Sequence, residues 1–188
     1  LSVTSVMILT IFTRSLRGGN KAQIIEAIKQ NGQAVLDRMD KTIRNADSIV
    51  CISSPAPSYT LALVKNGVYT RYRFISPTPP VNPTANGLIQ QDTPSKQTDP
   101  ATSQEETDPA FVNRICAAND PMGTPLVLTD TKAQTGVSVL NGSFTREKTA
   151  GFKDQVTIKF DVKSGVSAPA AVAGPIDPVN FQTTIQLR

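Results

Sequence analysis

A chain of 188 residues with no histidine, no tryptophan, two cysteines and a net charge of +4 has the length of one domain. It lacks the commonest general base near neutral pH, and two cysteines alone cannot fill a tetrahedral zinc shell. The sequence holds no phosphate-cradling glycine loop, nucleophile elbow or dinucleotide fingerprint, so no catalytic, cofactor-binding or metal-binding residue is assigned.

The chain opens on Leu1 to Phe12, uncharged and mostly apolar, with Arg14 and Arg17 close behind. Twelve residues are too few to cross a bilayer, which takes ~20. The run is expected to be the remnant of a longer apolar segment, with basic residues where a helix leaves a membrane. A buried end of a core helix is the plainer alternative. From Lys21 onward Ile24, Ile28, Val35, Met39, Ile43 and Ala46 recur in steps of three, four and seven, the packing face of one α-helix. Asp37–Lys41 and Asp40–Arg44 add acid-before-base pairs one turn apart. Gly18-Gly19 and Gly32 are weak points, each costing ~1 kcal/mol relative to alanine. The helix is expected to end near Asp47–Cys51, ahead of Ser53-Ser54-Pro55. Residues 1–50 therefore form an N-terminal helix and 51–188 a β-sheet head.

Tyr59–Val64 and Val68–Ile75 flank Asn66-Gly67, a strong hairpin signal. Alternation in the second strand sets Tyr69, Arg71 and Arg73 on one face. Arg71 and Arg73 are candidates for contact with an anionic surface; an ordinary exposed strand face is the blander expectation. Residues 77–112 carry five acidic side chains, one lysine and seven of the 14 prolines. This stretch reads as an irregular surface excursion, with Leu88-Ile89 tacking its middle to the head. Asp92, Asp99, Glu105, Glu106 and Asp108 lack the spacing of a calcium loop and read as a solvated acidic linker. Further strands are predicted at Leu126–Thr129, Val137–Leu140, Gln155–Val162 and Phe181–Leu187, with a turn at Asn141-Gly142 and a loop from Ser164 to Pro178. One helix followed by strands predicts an α+β fold, a long N-terminal α-helix packed on an antiparallel β-sheet head.

Three stretches resemble type IV pilin-like proteins, in particular minor pilins and the larger pseudopilins of type II secretion. They are the apolar start running into an amphipathic helix, the helical segment from Gly32 to Ala46 with its Leu-x-x-Met-x-x-x-Ile-Arg-x-Ala pattern, and the final strand-like Phe181 to Arg188. The likeness covers about a third of the chain. That family's glycine processing site and early glutamate are absent, since Leu1 to Phe12 holds no acid; the expected reason is truncation. The resemblance implies a structural filament subunit rather than an enzyme. It implies other pilin-like subunits as partners through the helix, the inner membrane as its place before assembly, and an extracytoplasmic head. A membrane-anchored binding module that does not polymerise is the alternative, and an envelope enzyme a third. The net charge admits a nucleic-acid partner, but nothing in the sequence specifies one. An exported head makes a Cys51–Cys116 disulfide the favoured pairing over two separate buried thiols.

Overall fold

The computed structural model describes residues 2–52, 59–98, 103–117, 120–168 and 177–188, with side chains described from residue 19 onward except Asn20. Helix α1 (Ser2–Arg44) leads into a five-stranded antiparallel sheet in the order β1 (Ser48–Ile52), β2 (Thr60–Lys65), β3 (Val68–Ile75), β4 (Leu88–Asp92), β5 (Leu126–Val127). A short helix, α2 (Asp108–Cys116), lies between β4 and β5 in the chain. A second antiparallel sheet follows, β6 (Val137–Glu147), β7 (Gln155–Ser164) and β8 (Val179–Gln186). The fold is thus α+β with antiparallel sheets, as expected, but the head holds two sheets where the sequence suggested one.

The helical periodicity of α1 buries Ile28, Val35, Met39 and Ile43, with Ile24 half-buried at the edge of the same core and Ala46 buried in it just past the helix end. Leu36 joins that face. The helix packs on β7 and β8, whose inward positions Val156, Ile158, Phe160, Val162, Phe181 and Ile185 alternate with polar residues outside. Across the same core lie Leu61, Leu63, Tyr72, Phe74 and Ile89 of the first sheet. Stacked rings join the two sheets: Phe74 lies 4.6 Å from Phe144 and 5.8 Å from Phe160, which in turn lies 5.3 Å from Phe181. Two hydrogen bonds fix this junction, with Val139 N–H donating to Gly87 O (2.9 Å) and Gly87 N–H to the Ser138 side-chain Oγ (3.0 Å).

Helix α1 stops at Arg44, earlier than expected, because Ser48–Ile52 is taken up as β1 by pairing Ser48 with Val64 and Ile52 with Leu61. Asp47 pins this corner: its N–H donates to Val64 O (2.8 Å) and its carboxylate accepts from Asn66 N (2.6 Å). The Asn66-Gly67 hairpin forms as predicted, both residues at positive φ (48° and 75°), as a tight two-residue turn requires.

Residues 77–112 are not irregular throughout, and Leu88-Ile89 ties the stretch to the head as expected, but as part of a strand. β4 lies inside the first sheet, with Ile89 fully buried, and α2 begins within the same stretch. Proline bounds these elements instead of breaking them. Pro94 follows β4, and Pro109 sits in the first turn of α2, where its missing N–H costs nothing. Nor does Asn141-Gly142 turn the chain. It is a bulge within β6, between Leu140 and Ser143, with Asn141 at φ 50°. Of the Ser164–Pro178 loop, Ser164 belongs to β7 and 169–176 lie outside the described residues, as do Ser53 to Ser58.

Candidate functional site

Three features could carry function: the docked face of α1, the covered outer face of the first sheet, and a polar cleft between α1 and β4. On the first, every predicted packing residue from Ile24 to Ala46 meets the head. Gly32 is more than a weak helical residue. It is buried, and a β-carbon built there would sit 2.2 Å from the Phe181 ring, so glycine is what lets the helix approach β8.

Helix α2 covers the outer face of the first sheet through Phe111 and Ile115, which pack with Ala62, Val50 and Tyr69. The Tyr69 and Phe111 rings meet edge to face at 4.8 Å. The Cys51–Cys116 disulfide, with Cα atoms 6.0 Å apart, ties the end of α2 to β1. Closing a loop across 65 positions contributes about 4 kcal/mol in the chain-entropy description.

Arg71 and Arg73 lie under this cover. They do share a strand face, but it is not exposed: Arg71 is 1% and Arg73 8% accessible, which removes both the anionic-surface contact and the ordinary exposed face. Arg71 grips Asp92 with two parallel bonds (2.9 and 2.6 Å) and reaches Asp120 at 2.5 Å. Its remaining donors meet Ile115 O and Pro121 O, each at 3.3 Å. Arg73 donates to Thr60 Oγ1, Asp120 O and Ala117 O. Arg114 of α2 closes the outside of the network on Glu106, Asp120 and Ser95 O. Burial opposes the charge on Arg71, yet Asp92 and Asp120 outweigh it and raise its pKa. For Arg73, burial and then the neighbouring Arg71 lower it. The Arg114 bond holds Glu106 below the usual glutamate range.

The expected solvated acidic linker holds only in part: Glu105 and Asp108 are exposed, while Asp92 and Glu106 are covered. Asp92 and Glu106 serve arginines, Lys96 bridges Asp108 at 2.8 Å and Glu105 at 4.0 Å, and Asp99 lies outside the described residues. Among the described residues no group of three or more acidic or cysteine side chains could hold a metal ion. Sequence reasoning missed Asp120, Arg114 and Glu106 as partners. The available signal was Arg71 and Arg73 alternating on a strand rich in aromatic and aliphatic residues, a pattern that calls for buried counter-charges.

The third feature is a cleft of about 530 Å³. Arg38 of α1 stands at one wall and donates its Nε–H to Gln91 Oε1 of β4 at 2.8 Å. The buried Arg71–Asp92 pair forms part of its lining. No protein-family model matches the chain, and neither the curated proteins nor the solved structures yield a match.

Proposed function

We propose that this chain is a structural subunit of a filament of the type IV pilus or type II secretion pseudopilus kind, assembled through the N-terminal part of α1. One observation carries the reading. Helix α1 runs 43 residues, about 65 Å, and among the residues whose side chains are described its apolar packing on the head begins at Ile24. Roughly 30 Å of helix precedes Ile24, and the chain begins with the apolar run Leu1 to Phe12. A helix anchored at one end and apolar at the other suits burial among copies of itself, with the head outside. The working surfaces in this reading are contact faces and no reaction is performed.

Among the described residues no helix is long and apolar enough to cross a membrane. In this reading Leu1 to Phe12, shorter than the ~20 residues a bilayer takes, is one part of a longer apolar run in the mature protein. Mass spectrometry of the mature protein from the cell envelope tests this. A cleaved, N-methylated residue that completes an apolar run of about 20 residues supports the proposal. An uncleaved signal anchor refutes it and leaves a membrane-tethered binding head.

A further inference from the structure

The cleft between α1 and β4 holds a cation with no ion-pair partner among the described residues. Arg71 and Arg114 both border it, but their donors are committed to Asp92, Asp120, Glu106 and main-chain carbonyls. Arg38 is different. Its Nε–H is bonded to Gln91, which fixes the plane of the guanidinium, while neither terminal nitrogen has an acceptor among the described residues. A guanidinium held this way offers paired N–H bonds suited to one carboxylate. Among the described residues Arg38 is also the one charge in the lining without a counter-charge: the other three lining charges, Arg71, Arg114 and Asp92, all sit in ion pairs.

Around it stand neutral groups with no hydrogen bond to another described residue: the hydroxyls of Thr93, Ser95 and Thr124 and the side-chain amide of Gln97. The half-exposed Leu126 and the exposed Pro121 line the cleft beside them as apolar groups. Together these make one anion-binding fork, several hydroxyl-binding groups and a small apolar surface, in a space that suits a small ligand. We propose that the cleft binds an acidic sugar, a uronate-type ring whose carboxylate sits on Arg38, whose hydroxyls meet Thr93, Ser95, Gln97 and Thr124, and whose C–H face lies on Leu126. The proposal concerns the cleft where α1 docks on the head and holds whether or not the chain polymerises.

Titration of the full chain with glucuronate, followed by NMR shifts or calorimetry, tests it, with glucose and inorganic phosphate as parallel probes. Glucuronate is expected to bind at least about tenfold more tightly than either. Arg38→Gln should weaken glucuronate by about tenfold or more while leaving the thermal midpoint close to that of the parent, since Arg38 is exposed. Arg38→Lys, which keeps the charge but loses the fork and the Gln91 anchor, should fall between. A Gln97→Ala/Thr124→Val pair should weaken glucuronate without creating preference for phosphate. Equal binding of glucose would show that no carboxylate is read, and equal binding of phosphate would reduce the cleft to a simple anion site. Either result, an unaffected Arg38→Gln, or no glucuronate binding at all, overturns the proposal.

Discussion

Replacing Gly32 by alanine sets two effects of known sign against each other. Helix propensity favours the substitution by about 1 kcal/mol. The new methyl would sit 2.2 Å from Phe181 Cζ and 2.4 Å from Cε2. Ordinary carbon contact needs about 3.5 Å, so helix or ring must yield by more than about 1 Å. Phe181 cannot swing freely, because its ring stacks on Phe160 at 5.3 Å. Overpacking of this kind costs about 1–3 kcal/mol, and an overlap this deep belongs at the upper end. Gly32→Ala should therefore destabilise by about 1–2 kcal/mol net, read as a lower urea midpoint at unchanged slope. Gly19, where an added methyl would meet nothing within 4 Å, is the control. Gly19→Ala should be neutral or stabilising by up to about 1 kcal/mol. In a Gly32→Ala/Phe181→Leu double variant, the loss should be less than the sum of the single losses, because the smaller side chain makes room. If Gly32→Ala stabilises as Gly19→Ala does, the docking of α1 on β8 is wrong.

Two further outcomes follow from the buried polar groups. Arg71→Met leaves Asp92 without its guanidinium and Asp120 with only Arg114, and should cost about 3–5 kcal/mol in chemical denaturation; Arg71→Met/Asp92→Leu should recover part of it, and a loss under about 1 kcal/mol would contradict the network. The Tyr72 hydroxyl is buried with no hydrogen-bond partner among the described residues. Burial raises its pKa above 10.0, and Thr42 beside it, whose hydroxyl donates to Arg38 O, offsets this only in part. A raised folded pKa means that this contribution to stability is complete below pH 10.0 and is lost as the pH climbs through the raised value. Tyr72→Phe should abolish that alkaline loss and change stability near neutral pH by less than about 1 kcal/mol. An unchanged alkaline profile in the variant would refute it.

Much of the fold was legible where one physical signal dominated. The face from Ile24 to Ala46 shows helical spacing, Val156 to Val162 alternates cleanly, and Asn66-Gly67 supplies the two positive φ angles of its hairpin. What escaped was structure in which signals conflict. β4 buries Ile89 on one face and Asp92 on the other in a proline-rich, acidic context, so the composition of a linker concealed an interior strand. Arg71 and Arg73 read as surface because charge normally marks solvent, and only three-dimensional pairing with Asp92 and Asp120 shows otherwise. Gly32 read as a flaw because propensity counts what glycine costs a helix and not what it permits at a contact. The cleft drew no signal, since Arg38 and Gln91 stand 53 positions apart.

The disulfide also has a mechanical meaning. Cys51 lies in β1 and Cys116 at the end of α2, so the covalent ring encloses β2, β3 and β4. A pull entering through α1 and leaving at the C-terminus is relayed from Cys51 to Cys116 across the sulfurs and never loads the residues between them. About 220 Å of chain is thereby withheld from extension. Under tension the second sheet can yield while the three enclosed strands stay slack, and reduction of the single bond would release that hidden length.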